Sequence, residues 1–149
     1  MSSLPKLAIL GSIAIGLVMA ARAGAANKPP AKAKGGEIRF EVKLESDEGQ
    51  MVCALFTEEQ WLEDTDYPAY ASIVKKTSTC VFKNVPPGTY AISAFHDENK
   101  NMALDKNLIG IPTESWCTSR NAKGFMGPPS FEDAKFGFRG GKVTLRAKM

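Results

Sequence analysis

One histidine, two tryptophans and three cysteines stand in a chain of 149 residues. A single His leaves little material for a His-rich metal site, and Cys53, Cys80 and Cys117 show none of the spacings of a zinc site. Charge of one sign is also lacking: 19 Lys+Arg against 16 Asp+Glu give +3, too weak a balance for a nucleic-acid binder. The longest uncharged apolar run, Leu7 to Ala20, falls short of the roughly 20 residues that span a bilayer. There is no Gly-x-Ser-x-Gly elbow, no His-Glu-x-x-His pair and no phosphate-cradling glycine loop between a strand and a helix. Long amphipathic helices and internal repeats are missing as well. With 44% apolar and 23% charged residues the composition is that of an ordinary globular domain. It excludes a collagen-like, a wholly disordered or a multi-span membrane chain.

What is present begins with an export pattern. Lys6 precedes the apolar run, and Ala21-Arg22-Ala23 fits the small-x-small rule for cleavage. Residues 1–23 are therefore expected to be a signal peptide, an uncleaved N-terminal anchor being the alternative. No Cys follows the run, which argues against a lipoprotein. Residues 24–36 include the Pro/Lys/Gly stretch NKPPAKAKGG, a solvated linker with nothing to bury. Setting aside Lys6, Arg22, Lys28, Lys32 and Lys34 leaves 14 basic against 16 acidic residues, so the basicity belongs to the leader and tail. The expected location is periplasmic or secreted, with no stable membrane span after cleavage. An exported chain permits disulfides. Cys53 and Cys80 both lie in strand-like segments and are the first candidates for a bridge; three buried thiols are the alternative.

Residues 37–149 read as short strands. In 37–44 Ile38, Phe40, Val42 and Leu44 alternate with Glu37, Arg39, Glu41 and Lys43, the pattern of a half-buried strand. Residues 51–56 (MVCALF) predict a central strand, and Thr57 to Gln60 has capping-box spacing for a helical turn. Residues 63–70 read as a polar loop, 71–75 as a weak strand, and 79–85 and 90–95 as strands joined by the turn Pro86-Pro87-Gly88. Segments 134–138 and 142–147 flank Gly140-Gly141, a hairpin signal. Six to seven strands without a long helix predict an all-β, antiparallel two-sheet sandwich, immunoglobulin-like or prealbumin-like. The stretch 96–139 is long and non-periodic, and an ordered loop of that size needs pinning. Trp116, Phe125, Phe131 and Phe136 are expected to dock it.

One constellation carries chemistry. Asp97, Asn99, Asn101 and Asp105 place oxygen side chains at positions 1, 3, 5 and 9 of a loop. Calcium takes six to eight oxygens at about 2.3–2.6 Å, and alternate residues of a short loop can wrap it. Ala103 would add its carbonyl, as position 7 does in an EF-hand; Asn107 or Glu114 would complete the shell. Met102 stands where that loop has Gly, and Leu108 where it has a bidentate Glu. The competing reading is a metal-free loop in which Asp and Asn bond their own backbone. His96, directly before the loop, shares the parity of Tyr90, Ile92 and Ala94 and is expected to be structural.

The run PPGTYAISAFHDENKN, followed by Asp105, by Gly110-Ile111-Pro112-Thr113-Glu114 and by GPPSFEDAKF, resembles the bacterial exported family called domain of unknown function 2141. Its Asn84 to Ile92 portion is similar to the strand start of prealbumin-like and carboxypeptidase-regulatory-like sandwiches. The resemblance implies a sandwich and an exported location, and maps the family's motif onto His96, Asp97, Glu98, Asn99, Asn101 and Asp105. It supplies no substrate. The function expected is a non-enzymatic envelope or extracellular module, binding a protein or a glycan, with a calcium-type ion in loop 97–105. The alternatives are a hydrolase using His96 with Asp97 or Glu114, and a structural domain with no ligand.

Overall fold

The computed structural model describes residues 35–149. The expected leader 1–23 and nearly all of the linker 24–36 lie outside them. Within them, nine strands form two sheets. β1 (Gly36–Lys43), β2 (Gln50–Phe56) and β3 (Tyr67–Ala71) come first, then β4 (Ile73–Val74), β5 (Thr77–Val85) and β6 (Gly88–Asp97). β7 (Trp116–Thr118), the short helix α1 (Phe131–Ala134), β8 (Phe136–Phe138) and β9 (Lys142–Lys148) complete the chain. One sheet runs β4-β5-β1-β9; the other runs β3-β2-β6-β7, with β8 also paired to β6.

The period-two pattern does what it predicts. Ile38, Phe40 and Val42 on β1 are fully buried, as are Met51 and Leu55 on β2 and Ile92 on β6. Each such side chain contributes about 1.5–3 kcal/mol by leaving water. Cys53 on β2 and Cys80 on β5 form a disulfide between the two sheets, with Cα atoms 6.4 Å apart. Cys117 is left as a buried free thiol. Among the described residues, both core clusters and the disulfide lie between Ile38 and Ala147.

Several local expectations give way to tertiary pairing. The segment 63–70 is not all loop: Tyr67–Ala71 pairs with β2 (Val52 opposite Tyr70), and Pro68 is tolerated because β3 is an edge strand. The weak strand expected over 71–75 shrinks to Ile73–Val74, which joins the other sheet. The expected hairpin around Gly140-Gly141 does not form. β8 pairs with β6, whereas β9 crosses to the opposite sheet and lies parallel to β1, Ile38 opposite Val143. The sandwich is thus antiparallel except for this one ladder. Gly140 and Gly141 have φ of 92° and 76°, which glycine adopts freely, and the Glu37 N–H donates to the Gly141 carbonyl at the corner. At the Pro86-Pro87-Gly88 turn the left-handed residue is Asn84, at φ 57°.

The capping box at Thr57 also differs. A 3₁₀ turn forms at Glu58–Gln60, but the Thr57 hydroxyl donates to the Gln60 side chain instead of capping the backbone. In the long segment, Phe131 is buried with Ala91 and Ala134 against Trp61, whose indole N–H donates to the Pro129 carbonyl. Trp116 and Phe136 are partly buried, but Phe125 is 94% exposed and docks nothing. Among the described residues no helix is long and apolar enough to cross a membrane.

Candidate functional site

β6 ends on two residues that point opposite ways. His96 faces the sheet interior with Tyr90, Ile92 and Ala94, and is 3% exposed; Asp97 faces out and is nonetheless fully buried. A ligand-free explanation is visible for each. The His96 Nε2–H donates to the Glu48 carbonyl (2.6 Å), tying the end of β6 to the β1–β2 turn, and Nδ1 lies 3.7 Å from a Glu98 carboxylate oxygen. Gly49 completes that turn at φ 73°, where a Cβ would strike the Asp97 carbonyl.

Asp97 is covered by the loop that follows it. Its Oδ1 accepts from the Asn101 N–H (3.0 Å); its Oδ2 accepts from the Met102 N–H (2.9 Å) and from the Gln50 amide (2.7 Å). Burial alone pushes this carboxyl pKa up. The hydrogen bonds from Gln50 and from the Met102, Asn101 and Lys100 N–H groups outweigh it, so the pKa sits below the usual aspartate value. Lys100 and Met102 adopt φ of 60° and 64° to aim their amides inward. Met102 therefore takes the left-handed conformation of the glycine it replaces, at a cost of roughly 1–2 kcal/mol.

The other oxygen side chains are brought together, but as Asx turns. Asn99 Oδ1 accepts from the Asn101 N–H, and Asn101 Oδ1 from the Ala103 N–H. Both amide NH₂ groups donate to Asp105, from Asn99 to Oδ2 (2.6 Å) and from Asn101 to Oδ1 (2.9 Å). Ala103 takes part through its N–H. Glu114 is 8% exposed and closes the base of the loop: Oε1 accepts from the Glu98 N–H (3.0 Å) and Oε2 from the Asp105 N–H (3.1 Å). Asn107 stands apart and braces the tip 106–112. Sequence reasoning missed Gln50 and the Glu48 carbonyl. Glu48 lies in the β1–β2 turn and Gln50 opens β2, and only strand pairing (Gln50 opposite Asp97) delivers them.

Two nucleophile-type side chains near β6, Ser119 and Cys117, are buried. The Ser119 hydroxyl is buried between the Ala134 carbonyl and the Ile92 N–H. Burial pushes the Cys117 thiol up to about 12, which keeps it protonated and unreactive at neutral pH. Among the described residues, no group of three or more His, Cys, Asp or Glu side chains is gathered to hold a metal, and no buried side-chain N or O lacks a hydrogen-bond partner. An open groove of about 410 Å³ lies beside β7, lined by Glu114, Ser115, Trp116, Lys123, Lys148 and Met149 among others.

Residues 41–146 match the model of a family described as "Uncharacterized protein conserved in bacteria (DUF2141)". No curated protein and no solved structure matches the chain. The two-sheet sandwich therefore stands on its own strand pairing, and the prealbumin-like part of the resemblance has no solved neighbour behind it.

Proposed function

The chain belongs to that family of uncharacterized proteins conserved in bacteria, and from this premise we propose that it is an exported, non-enzymatic module. Its sandwich serves to present the β6–β7 loop, residues 98–115. One observation carries the reading: His96 and both carboxylates that a hydrolase would draw on with it, Asp97 or Glu114, are committed to holding backbone. His96 holds Glu48, Asp97 holds Asn101 and Met102, and Glu114 holds Glu98 and Asp105. Export is supported by Lys6, the apolar run Leu7 to Ala20 and Ala21-Arg22-Ala23, together with a disulfide that an oxidising compartment would keep. The test is His96→Gln and Glu114→Gln, read by melting temperature and by amide exchange across 98–114. Both variants are expected to melt earlier and to exchange faster in that stretch. Unchanged stability and protection in either would remove the structural role assigned to it.

A second reading has specific support: Asp97, Asn99, Asn101 and Asp105 do converge. For calcium to bind there, the Asn99 and Asn101 amides would rotate their oxygens toward Asp105. Ala103 would turn its carbonyl inward, and Asp97 would release amide donors. A melt in millimolar calcium against chelator, with magnesium as control, separates the two. The hydrogen-bonded loop gives the same melting temperature in all three. A calcium site filled at 100 times its dissociation constant adds about 2.7 kcal/mol and loses that gain in Asp97→Ala.

A further inference from the structure

The outer face of the β4-β5-β1-β9 sheet is crowded with cations. Six point outward from its three long strands: Arg39 and Lys43 on β1, Lys83 on β5, and Lys142, Arg146 and Lys148 on β9, all of them exposed. Only two carboxylates on those strands share the face, Glu37 and Glu41. Glu37 lies 2.8 Å from Arg39 and 3.7 Å from Lys142, and Glu41 lies 3.1 Å from Arg146. Lys43 and Lys83 are in no ion pair among the described residues. Lys43 stands directly opposite Lys148, which reaches Glu45 at 4.0 Å beyond the strand end. Like charges side by side on a sheet lower its stability. At the rim the two signs cancel: Lys75 and Lys76 follow β4, and Glu45 and Asp47 lie in the β1–β2 turn, where Asp47 accepts from the Lys76 N–H.

This charge is segregated. Residues 35–149 hold 14 basic and 16 acidic residues, so outside the face acids outnumber bases by six. Five of those acids fall in the β2–β3 loop, 57–66: Glu58, Glu59, Glu63, Asp64 and Asp66, all exposed, with no Lys or Arg among them. None of the five is in an ion pair among the described residues. The loop is braced from beneath, which keeps them in solvent. The Trp61 ring packs edge-on against Phe56 and Phe131, and the Thr65 hydroxyl donates to the Leu55 carbonyl. The loop joins two strands of the other sheet, and no ion pair links its carboxylates to the cationic face.

We propose that the outer face of the β4-β5-β1-β9 sheet is a docking surface for a second copy of this chain, which enters through its β2–β3 loop. Charge complementarity names the occupant: a face with four positive charges in excess meets a braced loop carrying five negative ones. The outward positions of β1, β5 and β9 hold no aromatic ring that would serve a glycan as a platform. Face and loop are different surfaces, so the contact is heterologous. Each added copy leaves one face and one loop free, and copies add head to tail. Neither surface includes residues 98–115, so the presentation of that loop stands or falls separately.

The test is sedimentation velocity on the full chain at 0.01 M and 0.15 M salt, between which the Debye length falls from about 30 Å to about 8 Å. Every variant keeps residues 1–34, so whatever they contribute is common to all. Wild type is expected to self-associate at low salt and to do so about tenfold more weakly at the higher salt. Lys43→Gln/Lys83→Gln/Lys148→Gln and Glu63→Gln/Asp64→Asn/Asp66→Asn should each weaken the low-salt association on the order of tenfold, with an unchanged melting temperature. Mixed, the two variants should form a 1:1 dimer and nothing longer, because the intact loop of the first docks on the intact face of the second. A wild type that stays monomeric at low salt, an association indifferent to salt or to either triple variant, or a mixture without the dimer overturns the proposal. So does a monomeric wild type retained on alginate, a linear polyuronate, which would give the face to an acidic glycan.

Discussion

Between the sandwich core and the 98–115 loop the means of holding backbone in place reverses. In the core, polar backbone groups pair strand to strand, and side chains such as Phe40, Met51, Leu55 and Ile92 exclude water. In the loop there is no ladder beyond one isolated bridge. Buried carboxylates and Asn side chains accept the N–H groups that a ladder would otherwise satisfy, while Leu108, Ile109 and Ile111 stay in solvent. The two regions differ in what they answer to. Hydrophobic burial is additive and survives acid, whereas carboxylate-to-amide bonding depends on each acceptor and on its charge. A region built the second way can be rigid without burying its apolar residues, and so can offer them outward.

The comparison breaks hardest in the core. Phe40→Ala should lower the unfolding free energy by about 3–5 kcal/mol in a denaturant melt, whatever the pH between 5 and 8. Replacing Cys53 and Cys80 together by Ala should cost about 3.5 kcal/mol on the loop-closure model, since the bridge spans 27 residues. Asp97→Ala should cost about 2–3 kcal/mol by leaving the Met102 N–H and the Gln50 amide without their acceptor, and the Met102 amide, which unlike Asn101 has no second acceptor in Asn99, should show the largest gain in hydrogen exchange.

The loop's dependence on charge gives a sharper contrast. Because the Asp97 pKa is lower folded than unfolded, its ionised form adds stability above about pH 4, the ordinary aspartate value. That contribution fades as pH falls through the lower folded value. The stability gap between wild type and Asp97→Asn should therefore shrink on acidification, while the gap for Phe40→Ala holds. A constant Asp97→Asn gap down to pH 2 would contradict the assignment. The smallest effect is expected at the tip: Leu108→Asp/Ile109→Asp should stay within about 0.5 kcal/mol of wild type.

The strands of the core were largely legible. Strict alternation in 37–44 located β1 and its buried face, and the strand-like surroundings of Cys53 and Cys80 pointed to the bridge that forms. The site was legible in membership and not in arrangement. Asp97, Asn99, Asn101, Asp105 and Glu114 do meet, but as acceptors and donors for one another and for backbone. Gln50 and the Glu48 carbonyl were invisible because they arrive from the start of β2 and the turn before it, nearly fifty residues upstream.

Side-chain periodicity is local, so the chain itself dictates which face of each strand goes inward, where Asx turns are favoured and which residues are too apolar to stay wet without a reason. Pairing is not local. That β9 lies parallel to β1, that Tyr67–Ala71 becomes an edge strand and that Gly140-Gly141 hands the chain from one sheet to the other are choices among sheet edges. Those edges exist only once distant segments have packed, and the same long-range packing buries Asp97 and leaves Leu108 exposed.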